Sequence, residues 1–294
     1  MIFQIFSMLA FGVSNCFWEK PVRQMSALNL ILIRSFLTTS CFALFALLFE
    51  LKAFYIPLAN VVNYSSLNFF DVITTAGLCF VNYWGLFFFL KSMQHTDARI
   101  SIVMGTAGTL IFVLIGVLFY GEKPSAVSYL YMFIFTVGWW FIENLRKDML
   151  RFKWSRGVAY ALLCMLFWRT AAFFPMVIKN VGTLYFSLIM EIVVCITTFV
   201  ILFFKGSLPT LKKLVVQFQT YSYHILMLVI CGFLGVLFFN IAISSTQLYT
   251  FALIGLLQPL TSVVLGIFMF KTRLTVYQGI GILILLTGMA IQMM

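Results

Sequence analysis

Residues 214–270 read LVVQFQTYSYHILMLVICGFLGVLFFNIAISSTQLYTFALIGLLQPLTSVVLGIFMF, 57 positions without an Asp, Glu, Lys or Arg. No solvated surface can be built from such a run, so its solvent is lipid. One crossing of the hydrocarbon takes roughly 20 residues, so the run is two crossings and a connector. Ser244-Ser245-Thr246-Gln247 supplies the break. Working outward, the stretches 1–18, 72–90, 100–121, 124–142 and 274–294 are likewise free of charge. Three more crossings carry one charge each: 27–49 with Arg34, 157–178 with Arg169 and 183–204 with Glu191. The expected fold is an all-α integral membrane protein of ten transmembrane helices. Each crossing must be helical, because backbone groups in hydrocarbon need partners within their own segment.

Composition agrees. Apolar residues make up 63% of the 294 positions and charged residues 9%, against roughly 25% charged in a soluble domain. The net charge of +11 is spread over short gaps between apolar runs, as at Arg146-Lys147, Arg151, Lys153 and Arg156. That is how membrane proteins orient their crossings, and it leaves no basic face for nucleic acid. Cys16, Cys41, Cys79, Cys164, Cys195 and Cys231 lie inside apolar runs with no C-x-x-C pair, and His95 and His224 are the only histidines. No metal or other cofactor is expected. Residues 1–18 lack a basic n-region and a small-residue cleavage site, so they read as the first crossing rather than a leader.

The chain repeats itself faintly. At an offset of 157, Phe11-Gly12 falls on Trp168-Arg169 and Arg34 falls on Glu191. At an offset of 150, Gly85, Gly105, Gly116 and Gly138 fall on Gly235, Gly255, Gly266 and Gly288. Each half holds five crossings. Five is odd, so the halves enter the membrane from opposite sides, giving two inverted five-helix repeats of the kind secondary transporters use. The stretches 51–70 and 205–223 hold Pro57 and Pro209 at matching places between the second and third crossing of each half, and each has room for a short interfacial helix.

With these features in place, the chain resembles the drug/metabolite transporter superfamily in its ten-helix EamA-type branch. Phe11-Gly12 is similar to the Trp-Gly of that family's first helix, and Arg34 to its second-helix arginine. Gly121-Glu122-Lys123-Pro124-Ser125 is similar to its Gly-Glu-Arg-x-Ser turn, and Pro259 sits where a ninth-helix proline is expected. Thr109, in place of a fourth-helix proline, and Lys271-Thr272-Arg273, in place of a second Glu-Arg turn, depart from the pattern. The resemblance implies residues 1–145 and 157–294 as two EamA-like repeats joined by a basic linker, 146–156. It also implies a central cavity lined by helices one, three, four, six, eight and nine.

Charges at membrane depth are costly and tend to be functional. Arg169 and Glu191 lie about ten and nine residues from the turn at 179–182, so an antiparallel hairpin puts them level and able to pair. Two readings stand: a structural salt bridge, or a substrate or proton site. Arg34 has no obvious partner at its own depth. It either snorkels to the interface or faces the cavity, where a lone cation favours an anionic solute. Asn15, Asn82, Asn240 and Gln258 offer hydrogen bonds, with Ser14 and Thr106 beside them. Trp84 and Trp168 offer stacking faces. For each of these, contact between helices is the alternative use.

The expected function is secondary transport of a small metabolite or drug-like solute by alternating access. The alternative is a non-transporting membrane subunit or lipid-associated partner protein. No G-x-x-x-x-G-K-[ST], H-E-x-x-H or G-x-S-x-G motif is present, so neither ATP hydrolysis nor a familiar enzyme chemistry is expected. The expected partners are a small-molecule substrate and membrane lipid, with proton or ion coupling left open and no nucleic acid. A bacterial inner membrane is the expected setting. Of the loop lysines and arginines, only Lys52, Lys123 and Lys179 fall on one side. The positive-inside rule then puts both termini outside, whereas the resembled family keeps them in the cytoplasm.

Overall fold

A computed structural model describes residues 2–52, 66–95, 109–143, 155–255, 257–270 and 276–293. Among these residues the chain is helical with no strand. In order the helices are α1 (Ile2–Gln24), α2 (Ala27–Glu50), α3 (Phe69–His95), α4 (Thr109–Tyr120) and α5 (Ala126–Glu143). There follow α6 (Arg156–Trp168), a 3₁₀ stretch (Arg169–Phe173), α7 (Phe174–Val181), α8 (Thr183–Phe204) and α9 (Leu211–Thr220). The chain ends with α10 (Ser222–Ser245), α11 (Leu248–Gly255), α12 (Leu257–Phe270) and α13 (Val276–Met293).

Among the described residues, five segments are long and apolar enough to cross a membrane: Ala27–Glu50, Phe69–His95, Arg156–Val181, Thr183–Phe204 and Ser222–Ser245. The outside carries many large apolar side chains, with Phe36, Phe69, Phe133, Phe203 and Leu283 among those exposed. A surface of that kind needs hydrocarbon around it.

The helix ends explain themselves locally. Ser26 accepts from the Asn29 N–H at 3.1 Å, Ser155 from Val158 at 3.3 Å and Thr210 from Lys213 at 3.3 Å; each is an N-cap satisfying an orphan donor. The turn after α7 uses Gly182 at φ +81°, a left-handed backbone that glycine adopts without strain. The break expected at 244–247 falls between α10 and α11. The short helix expected in 205–223 is α9, which buries none of its residues. Its counterpart in 51–70 lies largely outside the described residues.

The segment expected as the sixth crossing departs from that reading. Residues 157–178 read as one regular helix, but the α-helix stops at Trp168 and resumes at Phe174. Pro175 is the cause: without an N–H it cannot serve the Ala171 carbonyl, which accepts from the Phe174 N–H instead. Side chains add hydrogen bonds to carbonyls around the break. Thr170 Oγ1 donates to Phe167 O at 2.7 Å and Tyr120 Oη to Ala172 O at 2.9 Å.

The main packing joins the two halves of the chain. α1 lies along α10, α3 along α6, α2 along α8, α5 along α13 and α4 along α11. One apolar cluster gathers the N-terminal part of α1, with Met8, and the C-terminal part of α10, with Leu237 and Ile241. A second gathers the other ends of the same helices, with Phe17, Val22, Ile225 and Leu228.

Candidate functional site

Between the two clusters is a cavity of about 220 Å³. Its lining residues sit near the middles of long helices, such as Asn15 on α1, Asn82 on α3, Glu191 on α8 and Gly232 on α10. Helical geometry selects the face. On α3 the lining residues are Cys79, Asn82, Tyr83, Leu86 and Phe89, the spacing of three and four that makes one stripe.

Of the expected residues, Asn15, Arg34, Asn82, Trp168, Arg169, Glu191 and Gln258 line this cavity. Trp84 does not: it falls off the α3 stripe and packs against Phe80, Phe87 and Phe88. Asn240 does not either. On α10 the lining stripe is Gly232, Val236 and Phe239, and Asn240 turns aside to donate to Ser187 Oγ at 2.9 Å, a bond between helices. Thr106 lies outside the described residues. Ser14 also lines the cavity.

The charges pair differently from the sequence reading. Arg34 Nη1 donates to Glu191 Oε2 at 2.7 Å, with both side chains buried. Arg34 therefore neither snorkels nor lacks a partner, and Glu191 reaches across to α2 rather than back along the hairpin to Arg169. The reason is packing. α8 lies along α2, whereas the 3₁₀ stretch turns Arg169 toward α4, where its guanidinium lies 5.0 Å from the centre of the Phe112 ring. Arg34 Nε is buried without a hydrogen-bond partner among the described residues. A Cβ at Gly232 would collide with Arg34 Nη2, so α10 offers the guanidinium a glycine to lie on. Gly232→Val is expected to push Arg34 off Glu191, lowering thermal stability in detergent and abolishing transport; an unchanged melting profile would contradict this.

The polar groups also brace the wall. Asn15 Nδ2 donates to Ser262 Oγ at 3.1 Å, and that hydroxyl donates to the Gly12 carbonyl at 3.1 Å. Asn82 Nδ2 points at the helix break, 3.5 Å from Trp168 O and 3.4 Å from Thr170 Oγ1. The sequence reading missed the aromatic wall, in which Phe112, Phe174, Phe239 and Phe251 join Trp168. In a chain with 35 phenylalanines residue type could not single out these four; their neighbours across helices do.

The cavity therefore sets three charged side chains, Arg34, Arg169 and Glu191, in a largely apolar wall. Residues 155–294 match the EamA-like transporter family. This part of the chain is similar to that family. A solved structure described only as "Crystal structure of protein" shares the fold with a TM-score of 0.74, covering 98% of this chain and 94% of that one at 11% identity. At that identity the likeness concerns the fold alone. No curated protein matches the sequence. The EamA-like match, with the apolar helices, supports an integral membrane protein of the drug/metabolite transporter kind, and points away from an enzyme.

Proposed function

We propose that the chain is a secondary transporter that carries a small solute by alternating access around the central cavity, through ten crossings built as two inverted repeats. α6, the 3₁₀ stretch and α7 form the sixth crossing, and α11 with α12 the ninth. The packing supports the inversion. Exchanging first-half helices for their second-half counterparts turns the α1–α10 contact into the α6–α3 contact. The same exchange maps α2–α8, α5–α13 and α4–α11 onto themselves, as a two-fold axis in the membrane plane requires.

One observation carries the functional reading: the Arg34–Glu191 pair. Its members are 157 residues apart, the repeat offset itself, so equivalent positions of the two halves meet on the axis at the cavity wall. A buried pair kept only for stability is poorly justified, since desolvation offsets most of its attraction, and among the described residues this one leaves Arg34 Nε unsatisfied. Such a pair serves a solute or a proton that enters the cavity and competes for one partner. A non-transporting subunit would more naturally fill this space with its own side chains, and among the described residues it is open.

Reconstitution tests the proposal. Proteoliposomes loaded with a mixed metabolite pool are expected to exchange at least one labelled solute, with Glu191→Gln abolishing the exchange. No exchange from a broad panel under any ion gradient would sink it. We place the termini outside, following the charge count. A C-terminal alkaline phosphatase fusion expressed in a bacterial inner membrane should then be active, and a silent fusion would reverse the orientation.

A further inference from the structure

The two halves of the chain furnish the cavity with the same device twice. Phe11 on α1 and Trp168 on α6 are repeat mates at the offset of 157. Each lies against a glycine, since a Cβ at Gly235 would collide with the Phe11 ring and a Cβ at Gly85 with the Trp168 ring. The two glycines are themselves mates, at the offset of 150. Each ring then meets a phenylalanine one turn further along the glycine's helix: Phe11 lies 6.0 Å from Phe239, and Trp168 lies 5.0 Å from Phe89. Phe89 and Phe239 are again mates at the offset of 150. All four aromatic side chains line the cavity.

The consequence is a slot with two equivalent walls. A glycine and a phenylalanine four residues apart share one helix face, so the partner helix's ring sinks onto bare backbone and is held there by the phenylalanine. Phe11, Trp168 and Phe239 stay only partly buried, which leaves ring surface for a ligand. The axis that exchanges the two halves carries one wall onto the other, and neither wall depends on a charge. Rings hold other rings by face and edge; a saturated ring is thicker and has no such faces. At about 220 Å³ the space is below the roughly 300–1,000 Å³ of drug-sized pockets, so it takes one ring and not a fused system.

We infer, building on the transporter reading, that the cavity binds flat single-ring solutes between two repeat-equivalent walls, Phe11 with Phe239 and Trp168 with Phe89, selecting planarity rather than charge. Labelled benzamide is the probe, measured in lipid nanodiscs with empty nanodiscs subtracted. Cyclohexanecarboxamide has the same amide on a puckered ring. Tetramethylammonium is the third probe, because holding a cation is the other use of an aromatic wall. Benzamide should bind roughly tenfold or more tightly than either competitor, and Phe11→Leu and Trp168→Leu should each weaken it about two- to tenfold. Exchanging the mates, Phe11→Trp with Trp168→Phe, keeps a ring on each wall and should retain binding even if a leucine variant fails to fold. Trp84→Leu, on the far side of α3's cavity stripe, should leave binding unchanged. Equal affinity for the flat and puckered amides overturns the inference, as does preference for the cation or absence of saturable binding. So does a loss in only one of the two leucine variants.

Benzamide added to the metabolite-exchange assay separates this inference from the one it rests on. Benzamide that binds while no solute exchanges supports the ligand class and counts against transport. Exchange that proceeds while benzamide neither binds nor inhibits supports transport and overturns the ligand class.

Discussion

Replacing Glu191 by alanine while Arg34 stays is expected to destabilise the protein by about 3–5 kcal/mol, because it leaves an uncompensated charge buried inside the helix bundle. Arg34→Ala is expected to cost a similar amount by orphaning the carboxylate. Arg34→Met with Glu191→Leu removes both charges and refills the space, and should regain most of the stability lost in either single variant. Because the two residues hold repeat-equivalent positions on antiparallel neighbours, the exchange Arg34→Glu with Glu191→Arg should also fold. Thermal melting and the monodisperse fraction in detergent measure both. Transport is the separate readout: the apolar double variant should fold and carry nothing. If it transports like the unmodified chain, the pair is scaffolding and the proposal for it fails.

The helical, membrane-spanning character was legible in the sequence because lipid imposes it residue by residue. The run 214–270 could have no other solvent, and its break at Ser244–Gln247 needed only a polar cluster to find. The charge pairing was not legible, although both partners were named. Depth along a hairpin puts Arg169 and Glu191 level, but depth says nothing about azimuth, which follows from which helices pack together. The repeat offset held the better clue, since it set Arg34 against Glu191 directly. It could not say that the two would touch, because contact requires the axis to run between α2 and α8.

Gly12 tells the same story from the other half. It stands where the repeat puts Arg169, and a Cβ there would lie 2.9 Å from the Gln258 carbonyl oxygen. α1 uses that position for close approach to α12; the 3₁₀ stretch ahead of Pro175 uses it for a charge at the cavity. Asn240 and Trp84 were chosen by residue type and lost by helical phase. One step around the helix, roughly 100°, separates a cavity face from a packing face, and an unbroken apolar sequence carries no amphipathic signal to show which is which.

The second large effect is expected at Glu122, within the Gly-Glu-Lys-Pro-Ser turn. Its carboxylate accepts the backbone N–H of Leu248 at 2.6 Å and of Tyr249 at 3.0 Å, so it caps α11 from 126 residues away. The first N–H groups of a helix have no partner within it, and at their end of the dipole an anion is the favoured acceptor. Gly116 makes room, since a Cβ there would collide with Glu122 Oε2, and its carbonyl accepts the Glu122 N–H at 3.0 Å. Hydrogen bonds to a charged group contribute about 1.5–3 kcal/mol each. With the site only part-buried, Glu122→Ala is expected to cost about 2–4 kcal/mol, and Glu122→Gln less, since its amide offers a single neutral acceptor. Gly116→Val should mimic the alanine variant by pushing the carboxylate off the helix end, although residue 116 touches neither cavity nor charge pair. Hydrogen exchange at the Leu248 and Tyr249 amides reads the cap directly. Both should lose protection in Glu122→Ala while α8 stays protected, and unchanged exchange there would mean that the turn is held by something other than its carboxylate.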